Sequence, residues 1–469
     1  MAFKVRNRAF LCNWPLLRKT LSQLKLSVNI AQTVERAYNK TMKSLTQWIS
    51  SRRFPYDPLI TVEISRSCLL NNLNEFRKIA PWKDPKNRIG MVAPVLKSNA
   101  YGHGIIEVAG ILEKENWAHG PDRGHRIPFF VVDSYYEAAI LRAHGIKTHI
   151  LIIGYTRPET IRSSRGQNTA FAVTSMEMLK KLGGIKYAPW DWETGGGNGK
   201  IGMYIPRMRR AHRIHLKIDT GMHRQGIMPS EIDEAMEFIR NSPSIILEGI
   251  CSHLSDADNK DDSFTESQVG IWNKIVKQLK HEFNSIKYVH LSNTDGHNFS
   301  SDINANVSRL GLGLYGLTQN PVITSKLDIR PVLEMKTIIT GTKSLKAGDH
   351  VGYGDAFTAP KDMIVATIPV GYSEGLDRRL SNVGSVQVAP GKGGGTTLKT
   401  CPIVGRVSMN ISSIDVSLVT KVTLEDKVVV ISKDPGDPNS VGSMAKLCNT
   451  IPYDIVVKIP AHLRRVVVD

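Results

Sequence analysis

Cysteine is scarce and unpaired in this sequence. The 469 residues hold five, Cys12, Cys68, Cys251, Cys401 and Cys448, and no Cys-x-x-Cys pair. An odd, scattered set argues against a disulfide framework and against a structural zinc site. It favours free thiols in a reducing compartment, so a cytoplasmic location is expected and no metal is. Long apolar runs are missing too: no stretch reaches the ~18 residues a membrane-spanning helix needs. Acidic residues are nearly absent from positions 1–56, where eleven Lys and Arg meet only Glu35, a net +10 out of +18 for the whole chain. The remaining 413 residues carry only +8, which gives no reason to expect nucleic acid on the body. An apolar fraction of 41% and a charged fraction of 22% are those of a soluble globular protein, and the length predicts two or three domains.

The basic segment 1–56 is expected to be a helical extension. After Pro15, apolar residues fall at Leu17, Leu21, Leu24, Val28, Ala31, Val34, Tyr38, Met42, Leu45 and Ile49, a spacing of three and four, with Lys and Arg on other faces. Three readings are open for it: a helix packed on the body or a partner subunit, a basic helix on an anionic surface, or a targeting peptide. Arg52-Arg53-Phe-Pro-Tyr-Asp-Pro reads as the linker out of this arm.

From Ile60 the pattern changes. Ile60–Ile64 alternates like a strand and Ser67–Ile79 reads as a helix. Short apolar strands then alternate with helical segments at Met91–Leu96, Phe129–Asp133, His149–Gly154, Phe171–Thr174, Ile214–Asp219, Leu247–His253, Tyr288–Asn293 and Leu312–Tyr315. Repeated strand–helix–strand units mean parallel strands, and eight of them predict a closed (β/α)8 barrel spanning residues 57–330. From about Val332 the strands are short and separated by turn residues, which predicts an all-β domain over 331–469. The Ile60–Ile64 strand can pair into that domain. Residues 187–210 and the Gly-Lys-Gly-Gly-Gly at 391–395 read as loop insertions, not phosphate loops, since Lys200 lacks a following Ser or Thr.

In such a barrel, functional side chains sit at the carboxyl ends of the strands. There the sequence places Lys97, Asp133, Asp219 with Arg224 beyond it, His253, Asn293 and Arg309. Each alone has an ordinary structural explanation; their shared face favours chemistry. Lys97 ends the run Met-Val-Ala-Pro-Val-Leu, and a buried strand-end lysine must be paired, used covalently, or exposed.

These residues resemble the alanine racemase family of fold-type III pyridoxal-phosphate enzymes, from about Ile60 to the C-terminus. Val95-Leu-Lys97-Ser-Asn-Ala-Tyr101-Gly-His-Gly looks like the cofactor lysine motif. His215-Leu-Lys217-Ile-Asp-Thr-Gly-Met-His-Arg224 looks like a second signature. Ser252-His253, Asn293-Thr294, Arg309-Leu-Gly311-Leu312, Gly352-Tyr353-Gly and Gly371-Tyr372 follow in the family's order. The resemblance implies a racemase for L- and D-alanine that supplies peptidoglycan precursor. It implies Lys97 as Schiff-base lysine and base for one substrate face, and Tyr353 as base for the other. It implies phosphate held by Tyr101, Thr294 and the amides of Gly311 and Leu312, with His253 and Asn293 also at the cofactor and Arg309 at the pyridine nitrogen. Arg224, Met409 and Tyr372 would bind substrate, and Lys217 matches a carbamylated position. Because Tyr353 reaches the other subunit in the family, a head-to-tail homodimer is implied.

The sequence departs from the family pattern in three places. Leu310 stands where proline is usual and Asn410 where aspartate is usual. Ala461 is expected to fall where the family places a tyrosine that touches the cofactor phosphate, which implies a wider pocket and leaves serine or a broader range of amino acids as alternative substrates. A decarboxylase of basic amino acids on the same fold is a further alternative, disfavoured by the second signature.

Overall fold

The computed structural model describes residues 57–80, 91–118, 127–164, 167–183, 211–257, 259, 261–299, 301–318, 320–389 and 398–469. The basic arm and the insertions at 187–210 and 391–395 lie outside the described residues. Strand β1 (Thr61–Ser65) leads straight into the helix Arg66–Ile79. Ser65 caps that helix by accepting from the Cys68 amide at 3.1 Å, and Leu69, Leu73 and Phe76 form its buried stripe. Each such side chain contributes about 1.5–3 kcal/mol when fully buried.

Eight parallel strands follow: β2 (Met91–Pro94), β3 (Phe130–Val132), β4 (Ile150–Ile152), β5 (Thr169–Val173), β6 (His212–Lys217), β7 (Ile245–Cys251), β8 (Tyr288–His290) and β9 (Val307–Leu310). Neighbours pair in chain order from β3 to β8, while β2 pairs with β9. Two seams close the ring. Leu96 donates to Val131 O at 2.7 Å beside the Val95–Val131 bridge, and Arg309 donates to Ser292 O at 3.0 Å. The barrel is therefore as the alternation predicts, with one revision. The last strand is Val307–Leu310, and the apolar run at Leu312–Tyr315 is a 3₁₀ turn.

The C-terminal region is built from β10 (Leu333–Ile338), β11 (Gly341–Leu345), β12 (Met363–Ile368), β13 (Ser385–Val388), β14 (Lys399–Val404), β15 (Ser412–Asp415), β16 (Lys427–Ile431) and β17 (Arg464–Val468). It is not wholly β: helices Val441–Leu447 and Pro452–Val456 lie between β16 and β17. Strand β1 sits in this sheet, antiparallel to β10 and parallel to β17. The chain's first described strand and its last one are thus hydrogen-bonded neighbours.

Candidate active site

A cavity of about 420 Å³ opens at the carboxyl ends of the barrel strands, a volume suited to a small organic ligand. Its wall includes Lys97, Tyr101, Lys217, Arg224, His253, Asn293, Thr294, Arg309 and Gly311. These expected residues come from five strand ends, and the fold brings them together.

Lys97 opens a segment of unusual backbone. Ser98, Asn99, Ala100 and Tyr101 all have φ between 52° and 55°, and Gly102 follows at 78°. This is one turn of left-handed helix, which costs roughly 1–2 kcal/mol per non-glycine residue. Its supports are specific. Glu137 accepts from the Ser98 amide at 2.6 Å and, through its other oxygen, from the Asp133 amide at 2.9 Å. The Asn99 side chain accepts from Ile105 N at 2.9 Å. From the C-terminal strand, Arg465 donates to Gly102 O at 2.7 and 3.1 Å. The turn places Tyr101 on the cavity wall, four residues on from Lys97. Burial raises the Tyr101 phenol well above its ordinary pKa, with Tyr453 adding to the effect and Arg309 opposing it. It therefore remains an O–H donor, the form that suits a phosphate oxygen.

Arg309 is buried at the barrel centre. Its NH1 donates to His290 Nδ1 at 2.8 Å and His290 O at 2.9 Å; its NH2 donates to Ser252 O at 2.7 Å, Leu291 O at 2.9 Å and His253 Nδ1 at 3.1 Å. Nε–H is the donor left without an acceptor among the described residues. Burial, then Arg309, then Lys217, hold His253 well below its usual pKa, so it is neutral. Its Nδ1 accepts from Arg309, which leaves the proton on Nε2.

Lys217 contacts the Gln225 side chain at 3.2 Å, and burial lowers its pKa. Cys251, also on the wall, has its thiol pKa raised by burial, which keeps it protonated.

The donor set fits pyridoxal phosphate. Arg309 offers a free Nε–H to a ring nitrogen, and Lys97 offers an amine. Tyr101, Thr294 and Gly311 form an oxygen-binding end. A Cβ at Gly311 would stand 2.9 Å from Tyr101 Oη, so the backbone itself lines that end. Leu312 is buried behind it and opens the 3₁₀ turn.

Three expected residues lie elsewhere. Tyr353, Tyr372 and Met409 are on the C-terminal region, 72%, 45% and 57% exposed, and none lines this chain's cavity. Asp219 is structural, its carboxylate accepting from the amides of Gly221 and His223 at 2.9 and 3.0 Å. The expected missing ring at Ala461 needs correction. Ala461 is exposed, and the cavity wall carries Tyr453, from the helix Pro452–Val456. The pocket therefore has its phenol, with rings 5.5 Å from Tyr101, and the argument for a widened pocket falls. The signal for it was present as Ile-Pro-Tyr453-Asp, eight positions before Ala461. Asn410 is explained by its partner: its amide donates to the buried Glu374 at 2.7 Å, where an aspartate would repel.

Comparison with known proteins agrees with this geometry. The family description "Alanine racemase, N-terminal domain" matches residues 64–319, and "Alanine racemase, C-terminal domain" matches 332–467. Alanine racemase of Lactobacillus acidophilus is 31% identical over 412 residues, covering 86% of this chain and 96% of that protein. Alanine racemase 1 of Caldanaerobacter subterraneus is 32% identical over the same length, covering 86% and 94%. Among solved structures, the alanine racemase of Bacillus anthracis with bound L-Ala-P is similar at TM-score 0.72 and 26% identity, over 88% of this chain and 96% of that one. That of Clostridium difficile has the same TM-score at 24% identity, a likeness of fold. The chain belongs to the alanine racemase family.

Proposed function

We propose that the chain interconverts L- and D-alanine with pyridoxal phosphate, by one base from each of two subunits, and so supplies D-alanine for peptidoglycan. The observation that carries this is the convergence of Lys97, Arg309 and the Tyr101–Thr294–Gly311 end on one small cavity narrowed by Tyr453. Pyridoxal phosphate, when bound, supplies the electron sink that makes the amino acid's Cα–H acidic. Lys97 holds the cofactor, and its Nζ carries the proton to and from one face of Cα. Arg309, fixed by five acceptors, directs Nε–H into the cavity. His253 Nδ1 accepts from Arg309, and its Nε2–H is a donor on the same wall. Arg224, exposed at the cavity mouth, binds the substrate carboxylate, assisted by a carbamylated Lys217.

The opposite face of Cα needs a second base besides Lys97. Tyr353 of a second copy fits that role in a head-to-tail homodimer. Its exposure supports this, as does its company: Tyr372, Met409 and Ile411 are exposed large side chains, and Tyr372 and Ser373 donate to Ser408 O and Met409 O at 3.0 and 2.9 Å. An uncovered apolar face of this kind marks an interaction surface.

The test is a chiral assay of the purified protein on L-alanine, L-serine, L-lysine and L-arginine. Rapid formation of D-alanine, with the other three slow, is expected. Preference for serine would move the substrate, and carbon dioxide release from lysine would replace the reaction class.

A further inference from the structure

Arg309 is a buried cation that pairs with no carboxylate among the described residues. Its acceptors are three carbonyl oxygens and two imidazole nitrogens, and a guanidinium so placed is costly unless charge of opposite sign reaches it. One candidate, Glu248, lies at the far side of two histidines, in a barrel interior that is polar where packed aliphatic layers are usual.

The hydrogen bonds define a direction. Arg309 can only donate, so His290 Nδ1 must accept. Neutral His290 then carries its proton on Nε2, which lies 2.7 Å from His215 Nδ1. His215 in turn carries its proton on Nε2. That atom has no hydrogen-bond partner and stands 3.8 Å from Glu248 Oε2, close enough for charge to act but too far for a hydrogen bond. Both imidazoles are 0% exposed, and burial lowers both from the usual histidine value, so neither competes as a cation. Phe129 fixes the two rings edge-on and tilted at 5.5 and 5.4 Å.

Glu248 itself is 3% exposed. Burial alone would raise its carboxyl; the contacts with His149 and His215 outweigh that and hold it well below the ordinary range, so it is charged. Its other partners are His149 Nε2 and Arg213 NH1, both at 2.9 Å.

We propose that Glu248 is a positioning residue for Arg309, acting as its remote counter-charge through His215 and His290. The carboxylate polarises His215, which polarises His290, which makes His290 Nδ1 a stronger acceptor for Arg309. The guanidinium is thereby held with Nε–H toward the cavity. The catalytic meaning rests on the cofactor role of Arg309 given above; the charge coupling does not.

The test uses the full-length protein loaded with pyridoxal phosphate and labelled with ¹⁵N-histidine. In the wild type, His215 and His290 are expected as Nε2–H tautomers. In Glu248→Gln, the His290 Nδ1 resonance is expected to move although that residue does not touch position 248, and in Glu248→Asp to return toward wild type. Turnover of Glu248→Gln should fall about tenfold, with KM for alanine unchanged. An Nδ1–H or charged His290 in the wild type overturns the proposal without any variant, even if Glu248→Gln fails to fold. A Glu248→Gln spectrum in which only His149 and His215 move overturns it as well, since Glu248 would then serve only its local contacts. Ring-nitrogen shifts are read whether or not the protein racemises anything, so failure here is distinct from failure of the racemase reading.

Discussion

The Arg465 guanidinium donates twice to the carbonyl oxygen of Gly102, at 2.7 and 3.1 Å, joining the last strand of the sheet to the turn that carries Lys97 and Tyr101. Losing it leaves a half-buried carbonyl unpaired. Arg465→Met is expected to cost about 1.5–3 kcal/mol and to lower cofactor affinity. Urea unfolding and a pyridoxal-phosphate titration measure the two effects.

Gly102 and Gly110 should respond oppositely to alanine. At Gly102, φ is +78° and a new Cβ would stand 1.9 Å from Val456 O, so Gly102→Ala is expected to destabilise by more than ~3 kcal/mol. Gly110 lies within the helix Ile105–Ala118 with nothing within 4 Å of its would-be Cβ. There alanine should stabilise by about 0.5–1 kcal/mol. Thermal unfolding of the two variants decides.

Tyr353→Phe should bind pyridoxal phosphate as the wild type does and lose roughly 10²–10⁴-fold in racemisation. Unchanged turnover in the chiral assay would remove Tyr353 from the reaction.

Carbamylation requires a neutral amine, and burial lowers the Lys217 pKa, which enlarges the neutral fraction at a given pH. A carbamate carbon is expected after incubation with ¹³C-bicarbonate, present in the wild type and absent in Lys217→Ala. It should weaken as pH falls and the amine protonates.

Asp377 joins Arg379 and Lys458, each at 2.7 Å, and Asp454 completes the cluster that flanks the helix bearing Tyr453. The hydrogen bond from Arg379 is the largest influence on Asp377; with Lys458 it outweighs the opposing effect of burial and depresses the carboxyl below its unfolded value. A depressed acid stabilises above the unfolded pKa, about 4, and that stability is lost as pH falls through the folded value. Asp377→Asn should therefore melt below the wild type at pH 7, and the gap should close below about pH 4.

The barrel was legible because eight apolar runs alternate with helical ones, and the site because its polar residues recur at their ends. The left-handed turn was not, since Ser98, Asn99, Ala100 and Tyr101 include no glycine to announce positive φ; contacts from Glu137 and Arg465 impose it. The phenol was sought at Ala461 rather than at Tyr453 because spacing along a chain does not say which of two nearby positions faces inward. Glu248 was hidden within Leu247–His253, where alternation reads as strand and nothing marks a carboxylate that points into the barrel.

The pairing of β1 with β17, and of Gly102 with Arg465, sets a timetable for biosynthesis. Translation delivers Lys97 and Glu137 early, but Arg465, the other side chain that holds the turn, follows more than three hundred residues later. A nascent chain still lacking residues 464–468 has no partner for one edge of β1 and no clamp on Gly102, and the ~1–2 kcal/mol per residue of the turn is then opposed by the Glu137 and Asn99 contacts without Arg465. Removing strand β17 is therefore expected to loosen the site of a lysine placed more than three hundred residues upstream.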